Sequence, residues 1–116
     1  MTKRILIAED DYSSREALTR LAVQEGYDVM SVADGIQLLS IVDIGKFDVV
    51  ITDLMMPDLN GASASDIMKL KGDMTPVIAV TGLSSHDVRD VRDKFKRIYH
   101  KPININELFE YIRTLL

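Results

Sequence analysis

The chain has 116 residues, of which 47% are hydrophobic and 28% are charged, and this composition suits one globular domain with a single core. Its net charge of −4, without a Lys/Arg block along one face, argues against direct contact with nucleic acid. Because cysteine is absent, disulfides, thiolate catalysis and cysteine-based zinc sites are excluded.

The N-terminal segment MTKRILIAEDD begins with basic and then apolar residues, as a signal peptide does. Its apolar run ends at Glu9, which makes it too short for the hydrophobic region of a signal peptide. No other run approaches the ~18 apolar residues of a membrane span. The sequence therefore predicts a cytoplasmic protein without membrane insertion, and the run Arg4–Ala8 is predicted as the first strand.

An amphipathic helix is predicted after this strand. A capping box of Ser13 and Glu16 marks its start, and Gly26 stands just past its end, where a C-terminal cap belongs. The apolar stripe of this helix consists of Ala17, Leu18, Leu21 and Ala22.

The middle of the chain repeats the alternation of strand and helix. Runs rich in β-branched residues predict strands at Asp28–Val32 and Asp48–Thr52. Asp34 and Gly35 open a second predicted helix, and Gly61 starts a third. The apolar positions are Ile36, Leu39 and Val42 in the second helix, and Ile67 and Leu70 in the third.

The pattern continues with a strand at Pro76–Val80 and a weaker one at Arg97–His100. Between these strands, Ser84 or Ser85 is expected to cap a fourth helix. The apolar positions of that helix are Val88, Val91 and Phe95. A fifth helix begins at Asn104. With Glu107 as its capping partner, this last helix carries Leu108, Ile112 and Leu115.

Five successive β–α units predict a parallel sheet with helices on both faces, which is a doubly wound α/β fold. The near-continuous Val/Ile strands support this prediction, because strands that are covered on both faces lose the polar alternation. We expect a single domain across residues 1–116.

Charged and hydroxyl side chains stand at the ends of four of the five predicted strands. In doubly wound folds, ligands bind beyond the carboxyl ends of the strands, where the strand order reverses. The residues at these ends are Glu9, Asp10 and Asp11 after the first strand, Asp53 after the third, Thr81 and Gly82 after the fourth, and Lys101 and Pro102 after the fifth. We therefore expect carboxylates, a hydroxyl and an ammonium to meet at one rim of the sheet.

Each of these residues alone has an ordinary structural explanation. The acids suit a solvated loop or a helix cap, Thr81 suits a helix start, and Lys101 suits the surface. His100 is expected to be a packed or half-exposed strand residue. The joint occurrence at successive strand ends is explained better by one shared site.

The chemistry of this set favours phosphoryl transfer. Carboxylates that lie within a few ångström repel each other, and Mg²⁺ is typically held by one or two carboxylates together with water and phosphate oxygens. Lys101 offers a positive charge to a phosphoryl oxygen, and Thr81 offers a hydroxyl donor. Asp53 is then available as a nucleophile, because carboxylates form acyl phosphates.

Four segments, ILIAEDD, DVVITDLMMPDLNG, PVIAVTG and HKPI, resemble in order and spacing the receiver domain of two-component response regulators. The resemblance covers the whole chain. It implies a flavodoxin-like sheet of five parallel strands in the order 2-1-3-4-5, with five helices. It also implies a regulatory phosphoacceptor domain rather than an enzyme, which assists only its own phosphoryl transfer and dephosphorylation.

The resemblance assigns a role to each matching position. It implies that Asp53 is the phosphoacceptor, that Lys101 binds the phosphoryl group and that Thr81 is the switch hydroxyl. The implied ligands of Mg²⁺, or of Mn²⁺ in its place, are Glu9 (often through water), Asp10, Asp53 and the backbone carbonyl of Met55. Pro102 matches a proline that usually follows a cis peptide bond, and Gly61 fits the turn into the third helix.

The implied partners are a sensor histidine kinase or a phosphotransfer protein, which donates the phosphoryl group, and an unidentified downstream protein target. Phosphorylation of Asp53 is expected to switch the surface that this target binds. The resemblance is compatible with a monomer or with a phosphorylation-linked dimer.

Two alternatives are considered. A phosphorylation-independent, receiver-like interaction module is expected to lack one of the acids, Thr81 or Lys101, and all of these are present. A flavin carrier of the same fold class needs a phosphate-binding loop rich in Ser, Thr or Gly after the first strand. The acids Glu9 to Asp11 stand there and would repel a phosphate.

The chain departs from the usual receiver pattern near the fifth strand. Many receivers have an aromatic residue three positions before the lysine, where this chain has Ile98, with Tyr99 beside it. Because side chains alternate along a strand, Tyr99 is expected to share a side with Lys101 and Ile98 with His100. The basic stretch RDVRDKFKR is interpreted as a solvated helix face, with a docking surface as the alternative.

Overall fold

The computed structural model describes residues 2–116, which form five strands, four α-helices and one 3-10 helix. In chain order these elements are β1 (Arg4–Ala8), α1 (Tyr12–Gln24), β2 (Asp28–Val32), α2 (Gly35–Ile44), β3 (Val49–Asp53), α3 (Gly61–Leu70), β4 (Val77–Thr81), the 3-10 helix (Arg89–Lys94), β5 (Arg97–His100) and α4 (Ile105–Leu115). The alternation of strand and helix agrees with the sequence prediction.

The five strands form one parallel sheet in the order β2-β1-β3-β4-β5, which confirms the implied topology. All five residues of β3 and all five of β4 are buried, because helices cover both faces of these inner strands. The order reverses beside β1, since β2 lies on one side of it and β3 on the other. The carboxyl ends of β1, β3 and β4 therefore lie next to each other.

The core consists of two apolar layers, one on each face of the sheet. Alternation along β1 sends Ile5 and Ile7 into one layer, and Leu6 and Ala8 into the other. The first layer is completed by α1 and α4. The second is completed by α2 and α3. Both layers hold the strands rigidly, so that their carboxyl ends form a fixed frame.

Side-chain caps set the starts of the helices. Asp34 accepts a hydrogen bond from the backbone N–H of Gln37 (2.8 Å), and Asn104 accepts one from Glu107 (3.2 Å), as the sequence predicted. The predicted capping box at Ser13 is wrong. The helix α1 begins at Tyr12, and its cap is Asp11, whose Oδ2 accepts from the backbone N–H of Ser14 (2.8 Å). Asp is as favourable as Ser at an N-cap, and Asp11 lies two residues before Ser13 in the chain.

The fourth helix is not the predicted α-helix but a turn followed by the 3-10 helix. Its backbone bonds span three residues, as in the bond from Val91 N–H to the Val88 carbonyl (3.0 Å). The segment HDVRDVRDK repeats every three residues, which matches the 3-10 period rather than 3.6. In this geometry Val88 and Val91 eclipse each other and pack on the core, while the charged positions stay outside.

Two strands lie one residue later than predicted. Asp48 precedes β3, and its carboxylate accepts the backbone N–H of Arg4 (2.8 Å). Pro76 precedes β4, because proline has no N–H to donate to a ladder. The shift makes Asp53 and Thr81 the last residues of their strands.

Within residues 2–116, no helix has both the length and the apolar character needed to cross a bilayer.

Candidate functional site

Three carboxylates converge at the carboxyl ends of β1 and β3. One oxygen from each of Glu9, Asp10 and Asp53 lies within 4.8 Å of the others. The carboxylates of Glu9 and Asp53 are buried, with 3% and 5% of each residue exposed, whereas Asp10 is exposed to solvent. The cluster is therefore open on the side of Asp10.

Lys101 joins this cluster from the end of β5. Its ammonium donates to Glu9 Oε1 (2.7 Å) and to Asp53 Oδ2 (2.8 Å). Its backbone N–H donates to the carbonyl of Thr81 (2.7 Å). This bond continues the hydrogen bonding between β4 and β5 and fixes the position of the lysine backbone. About one third of the lysine side chain remains exposed. One cation thus bridges two buried acids from different strands.

The burial of the acids and the shared ammonium shift two pKa values. Burial raises the pKa of Glu9, and the hydrogen bond from Lys101 opposes this only in part. Burial by itself would lower the pKa of Lys101. The hydrogen bonds to Asp53 and Glu9 outweigh that effect and hold the lysine pKa above its ordinary value. The lysine is therefore firmly charged, while Glu9 takes up a proton more readily than an exposed glutamate.

The backbone behind Asp53 is packed closely and held by specific contacts. Asp53 Oδ1 accepts from the backbone N–H of Met55 (3.1 Å), and the Asp53 carbonyl accepts from the hydroxyl of Thr52 (2.9 Å). A Cβ atom at Gly61 would collide with that same carbonyl oxygen. Gly61 is the first residue of α3, as predicted, and it allows the helix to start directly against the acid.

Thr81 is fully buried at the end of β4. Its Oγ1 accepts from the backbone N–H of Leu83 (3.0 Å), so the hydroxyl keeps its own proton as a donor. The register of β3 and β4 pairs Asp53 with Val80, the residue before Thr81. Thr81 is therefore one residue beyond the position that pairs with Asp53, at the same end of the sheet.

Asp11 and Met55 contact the acids of the cluster through their backbone N–H groups. Asp11 caps α1, and its backbone N–H donates to Glu9 Oε2 (3.2 Å). Hydrogen bonding to Ser14 lowers the pKa of Asp11. The side chain of Met55 is largely exposed, and its backbone N–H is the group that contacts Asp53. The bond between Lys101 and Pro102 is cis, as the resemblance implied.

Two residues that contact the rim were not predicted to do so. Arg15 Nη1 donates to the backbone carbonyl of Glu9 (2.8 Å) and so holds the acidic loop from α1. His100 Nδ1 lies 2.7 Å from the carbonyl of Leu83. The pairing of His100 with Thr81 in the β4–β5 register is the signal that would have drawn attention to it.

The fifth strand has no bulge. Ala79 pairs with Ile98 and Val80 with Tyr99 in a continuous register. Ile98 packs beside Val88 on the side of the 3-10 helix, and Tyr99 packs on the opposite side with the layer of α1 and α4. The alternation predicted from the sequence is confirmed.

Comparison with known proteins identifies the family. The model of the response regulator receiver domain matches residues 5–113. The transcriptional regulatory protein TcrA of Mycobacterium tuberculosis is 32% identical over 114 residues, which cover 97% of this chain and 45% of TcrA. The response regulator MprA of Mycobacterium sp. (strain KMS) is 31% identical, and the match covers all of this chain and 51% of MprA. The chain thus spans about half the length of these curated relatives.

Solved structures agree with this assignment. The receiver domain of the Francisella response regulator 1452 superposes with a TM-score of 0.92 at 27% identity, covering 98% of this chain and 96% of that one. The response regulator TrrA of Thermotoga maritima, solved in complex with Mg²⁺ and BeF, has a TM-score of 0.91 at 28% identity, covering 99% of this chain and all of TrrA. With the parallel sheet, the acidic cluster and the family match together, this chain belongs to the receiver domain family of two-component response regulators.

Proposed function

We propose that Asp53 accepts a phosphoryl group from a phosphohistidine of a sensor histidine kinase or a phosphotransfer protein, with Mg²⁺ bound at the acidic cluster. The observation that carries this proposal is the ammonium of Lys101, which lies 2.8 Å from Asp53 Oδ2 and 2.7 Å from Glu9 Oε1. A cation in this position counters negative charge at the nucleophile and at any phosphoryl group joined to it.

In the proposed step, a carboxylate oxygen of Asp53 forms a bond to phosphorus while the bond from phosphorus to the partner's histidine nitrogen breaks. The electron pair of that bond stays with the imidazole of the partner. Lys101 then moves its hydrogen bond from the Asp53 oxygen to a phosphoryl oxygen. Such transfer needs alignment and charge neutralisation more than further covalent chemistry from the protein.

The donor set fits a hard divalent cation. Three carboxylates and one ammonium leave a formal charge of −2, which a divalent cation cancels. Glu9, Asp10, Asp53 and the backbone carbonyl of Met55 would hold Mg²⁺, or Mn²⁺, which prefers the same oxygen ligands. When bound, the metal supplies positive charge next to the transferring phosphoryl group. The Mg²⁺ in the TrrA complex supports this expectation for a related chain.

Thr81 is proposed as the residue that reports phosphorylation. Its hydroxyl keeps a proton to donate, and a phosphoryl oxygen on Asp53 is the acceptor that we propose for it. Drawing the hydroxyl toward the phosphoryl group displaces the loop after β4 and so alters the surface that a target protein binds. The same residues are proposed to assist the hydrolysis that later removes the phosphoryl group.

The direct target is proposed to be a protein in the cytoplasm rather than nucleic acid. The net charge of −4 supports this choice, since a nucleic-acid surface requires a basic face. TcrA is named a transcriptional regulator, but this chain spans only 45% of its length.

Intact-mass spectrometry tests the assignment of Asp53. Incubation with a small acyl phosphate and Mg²⁺ should add the mass of one phosphoryl group to the wild type, and chelation of the metal should prevent the addition. Asp53→Asn should gain none, whereas the matched control Asp11→Asn should gain as much as the wild type. Stoichiometric labelling of Asp53→Asn would refute the assignment. Partner binding that ignores phosphorylation would favour the interaction-module alternative.

A further inference from the structure

The loop that follows Thr81 is attached to β5 through one side chain. His100 Nδ1 lies 2.7 Å from the carbonyl oxygen of Leu83, and His100 Nε2 lies 3.4 Å from the hydroxyl oxygen of Ser85. In the sheet, His100 is the register partner of Thr81 itself. The imidazole therefore spans from the end of β5 across to the loop two to four residues beyond Thr81.

The chemistry of the partners fixes the direction of these bonds. A carbonyl oxygen only accepts, so the proton must be on Nδ1, which donates to Leu83. In the neutral ring, Nε2 is then an acceptor for the Ser85 hydroxyl. The Nδ1 donor is present in the neutral and in the protonated ring alike, so the bond to Leu83 does not require one charge state of His100.

The backbone N–H and the backbone carbonyl of Leu83 are both held by hydrogen bonds. Its N–H donates to Thr81 Oγ1 (3.0 Å), and its carbonyl accepts from His100. The N–H bond fills an acceptor position of the Thr81 hydroxyl and orients the proton that remains. A shift of Leu83 would therefore stretch its bond to Thr81, its bond to His100, or both.

We propose that His100 is a positioning residue for the switch: it clamps Leu83, so that the Thr81 hydroxyl is oriented before phosphorylation and the later movement of the loop is transmitted to β5. The proposal rests on the roles assigned above to Asp53 and Thr81. Ile98 is the residue that should receive this movement, since it lies on the same side of β5 as His100 and packs against the cluster of Leu54, Ala79 and Val88.

The tautomer of His100 in the wild-type protein tests the clamp without any substitution. Long-range ¹⁵N–¹H NMR correlation spectra distinguish a ring protonated on Nδ1 from one protonated on Nε2. We expect the proton on Nδ1. A neutral ring with its proton on Nε2 alone would overturn the proposal, because two acceptors would then face each other.

Hydrogen exchange at the Leu83 amide tests the clamp in the unphosphorylated protein. His100→Leu removes the donor, and exchange at Leu83 should become roughly two- to tenfold faster, as expected for loss of one hydrogen bond. His100→Asn retains an N–H donor near the position of Nδ1 and should restore most of the protection. Tyr99→Phe, a neighbouring change on the other side of β5, should leave the exchange at Leu83 unaltered.

Unchanged exchange at Leu83 in His100→Leu, with the amides of β1 and β3 still protected, would overturn the clamp. If His100→Leu loses that protection as well, His100→Asn and the wild-type tautomer decide the question. If His100→Asn folds but its Leu83 amide exchanges as fast as that of His100→Leu, the proposal is contradicted.

Transmission to β5 is measured with Mg²⁺ and beryllium fluoride as the phosphoryl mimic. In the wild type, the mimic should shift the methyl resonances of Ile98. That shift should fall at least twofold in His100→Leu and return in His100→Asn. Equal shifts in all three proteins would overturn the transmission. A wild type without any response at Thr81 or Ile98 would count against the proposed function, whereas the exchange and tautomer measurements would still decide whether the clamp exists.

Discussion

Glu9 and Asp10 are neighbours in the acidic cluster, and the difference in their burial has measurable consequences. Glu9 is the acid whose pKa burial raises, whereas Asp10 beside it is exposed to water. A carboxylate with a raised pKa binds a proton in competition with a metal ion as the pH falls. Protonation of Glu9 is therefore expected to lower the affinity of the whole cluster for a metal ion.

We expect the apparent affinity for Mg²⁺ to fall as the pH is lowered from about 7 to about 5, a range in which exposed carboxylates remain ionised. The sign follows from the raised pKa of Glu9, since protonation removes its negative charge from the cluster. Calorimetric titration of Mg²⁺ at several pH values provides the measurement. Glu9→Gln should bind more weakly but with less dependence on pH. An equally steep dependence in that variant would contradict the explanation.

Gly61 offers a test of the packing behind the phosphoacceptor. Gly61→Ala forces a Cβ atom against the Asp53 carbonyl, and overpacking of this kind costs about 1–3 kcal/mol of the free energy of unfolding. Gly82 at the same rim has open space and is the matched control, so Gly82→Ala should unfold like the wild type. Urea denaturation measures both. A Gly61→Ala protein as stable as the Gly82→Ala protein would contradict the close approach.

The elements at one edge of the sheet explain why part of the prediction from sequence failed. The valines three residues apart were interpreted as one face of an α-helix, but the adjoining charged positions repeat with the same period of three. A period of three is satisfied by a 3-10 helix, in which residues three apart eclipse each other. Val88 is buried and Val91 is partly buried, so both valines are on the inner face as expected. The type of helix could be inferred only by also considering the period of the polar residues.

Ile98 and Tyr99 differ in the face of β5 that they occupy, and we expect them to differ in function. Ile98→Ala removes packing against the cluster that contains Val88 and should change the difference in partner affinity between phosphorylated and unphosphorylated protein. Tyr99→Phe should leave that difference intact. Titration calorimetry with a binding partner, in the presence and in the absence of the phosphoryl mimic, measures this difference for both variants. Loss of the response in Tyr99→Phe alone would show that the tyrosine acts as the switch aromatic.

The hydroxyl of Tyr99 gives a separate prediction about stability. Among residues 2–116 it has no hydrogen-bond partner, although it is buried. Removing an unsatisfied buried hydroxyl does not lower stability, and Tyr99→Phe should leave the free energy of unfolding unchanged or raise it by up to about 1 kcal/mol. A marked loss of stability in chemical denaturation would mean that the hydroxyl is in fact paired.

At the scale of the molecule, Mg²⁺ should stabilise the fold, because its ligands come from separate strands that only folding brings together. A ligand that binds only the folded state at about 100 times its Kd contributes ~2.7 kcal/mol, which raises the melting temperature by roughly 10 °C. Asp10→Asn should abolish this rise. Asp11→Asn, in which asparagine can still cap α1, should retain it. Equal losses in the two variants would contradict the separate roles of these neighbours.

The fold and the convergence of the rim were predictable because they follow from rules that act over the whole chain. The β-branched runs specify inner strands, and parallel strands deliver their carboxyl ends to one edge, so Glu9, Asp53 and Lys101 were expected to meet. Details that depend on loop conformation were not predictable. The bond from His100 to Leu83 requires the path of the loop after Thr81, which no periodicity encodes. Asp11 is the cap instead of Ser13, and the sequence could not decide between them because both residue types are good caps and they lie two positions apart.

The contact between Lys101 and Glu9 joins residues 92 positions apart, and Lys101 lies 48 positions beyond Asp53. During synthesis from the N-terminus, both acids are added to the chain before the lysine. A nascent chain, or one degraded from the far end, thus has an aspartate without the cation that its phosphorylation is proposed to require. Under the proposed function, we therefore expect a chain to accept a phosphoryl group only after β5 has joined the sheet and brought Lys101 to Asp53.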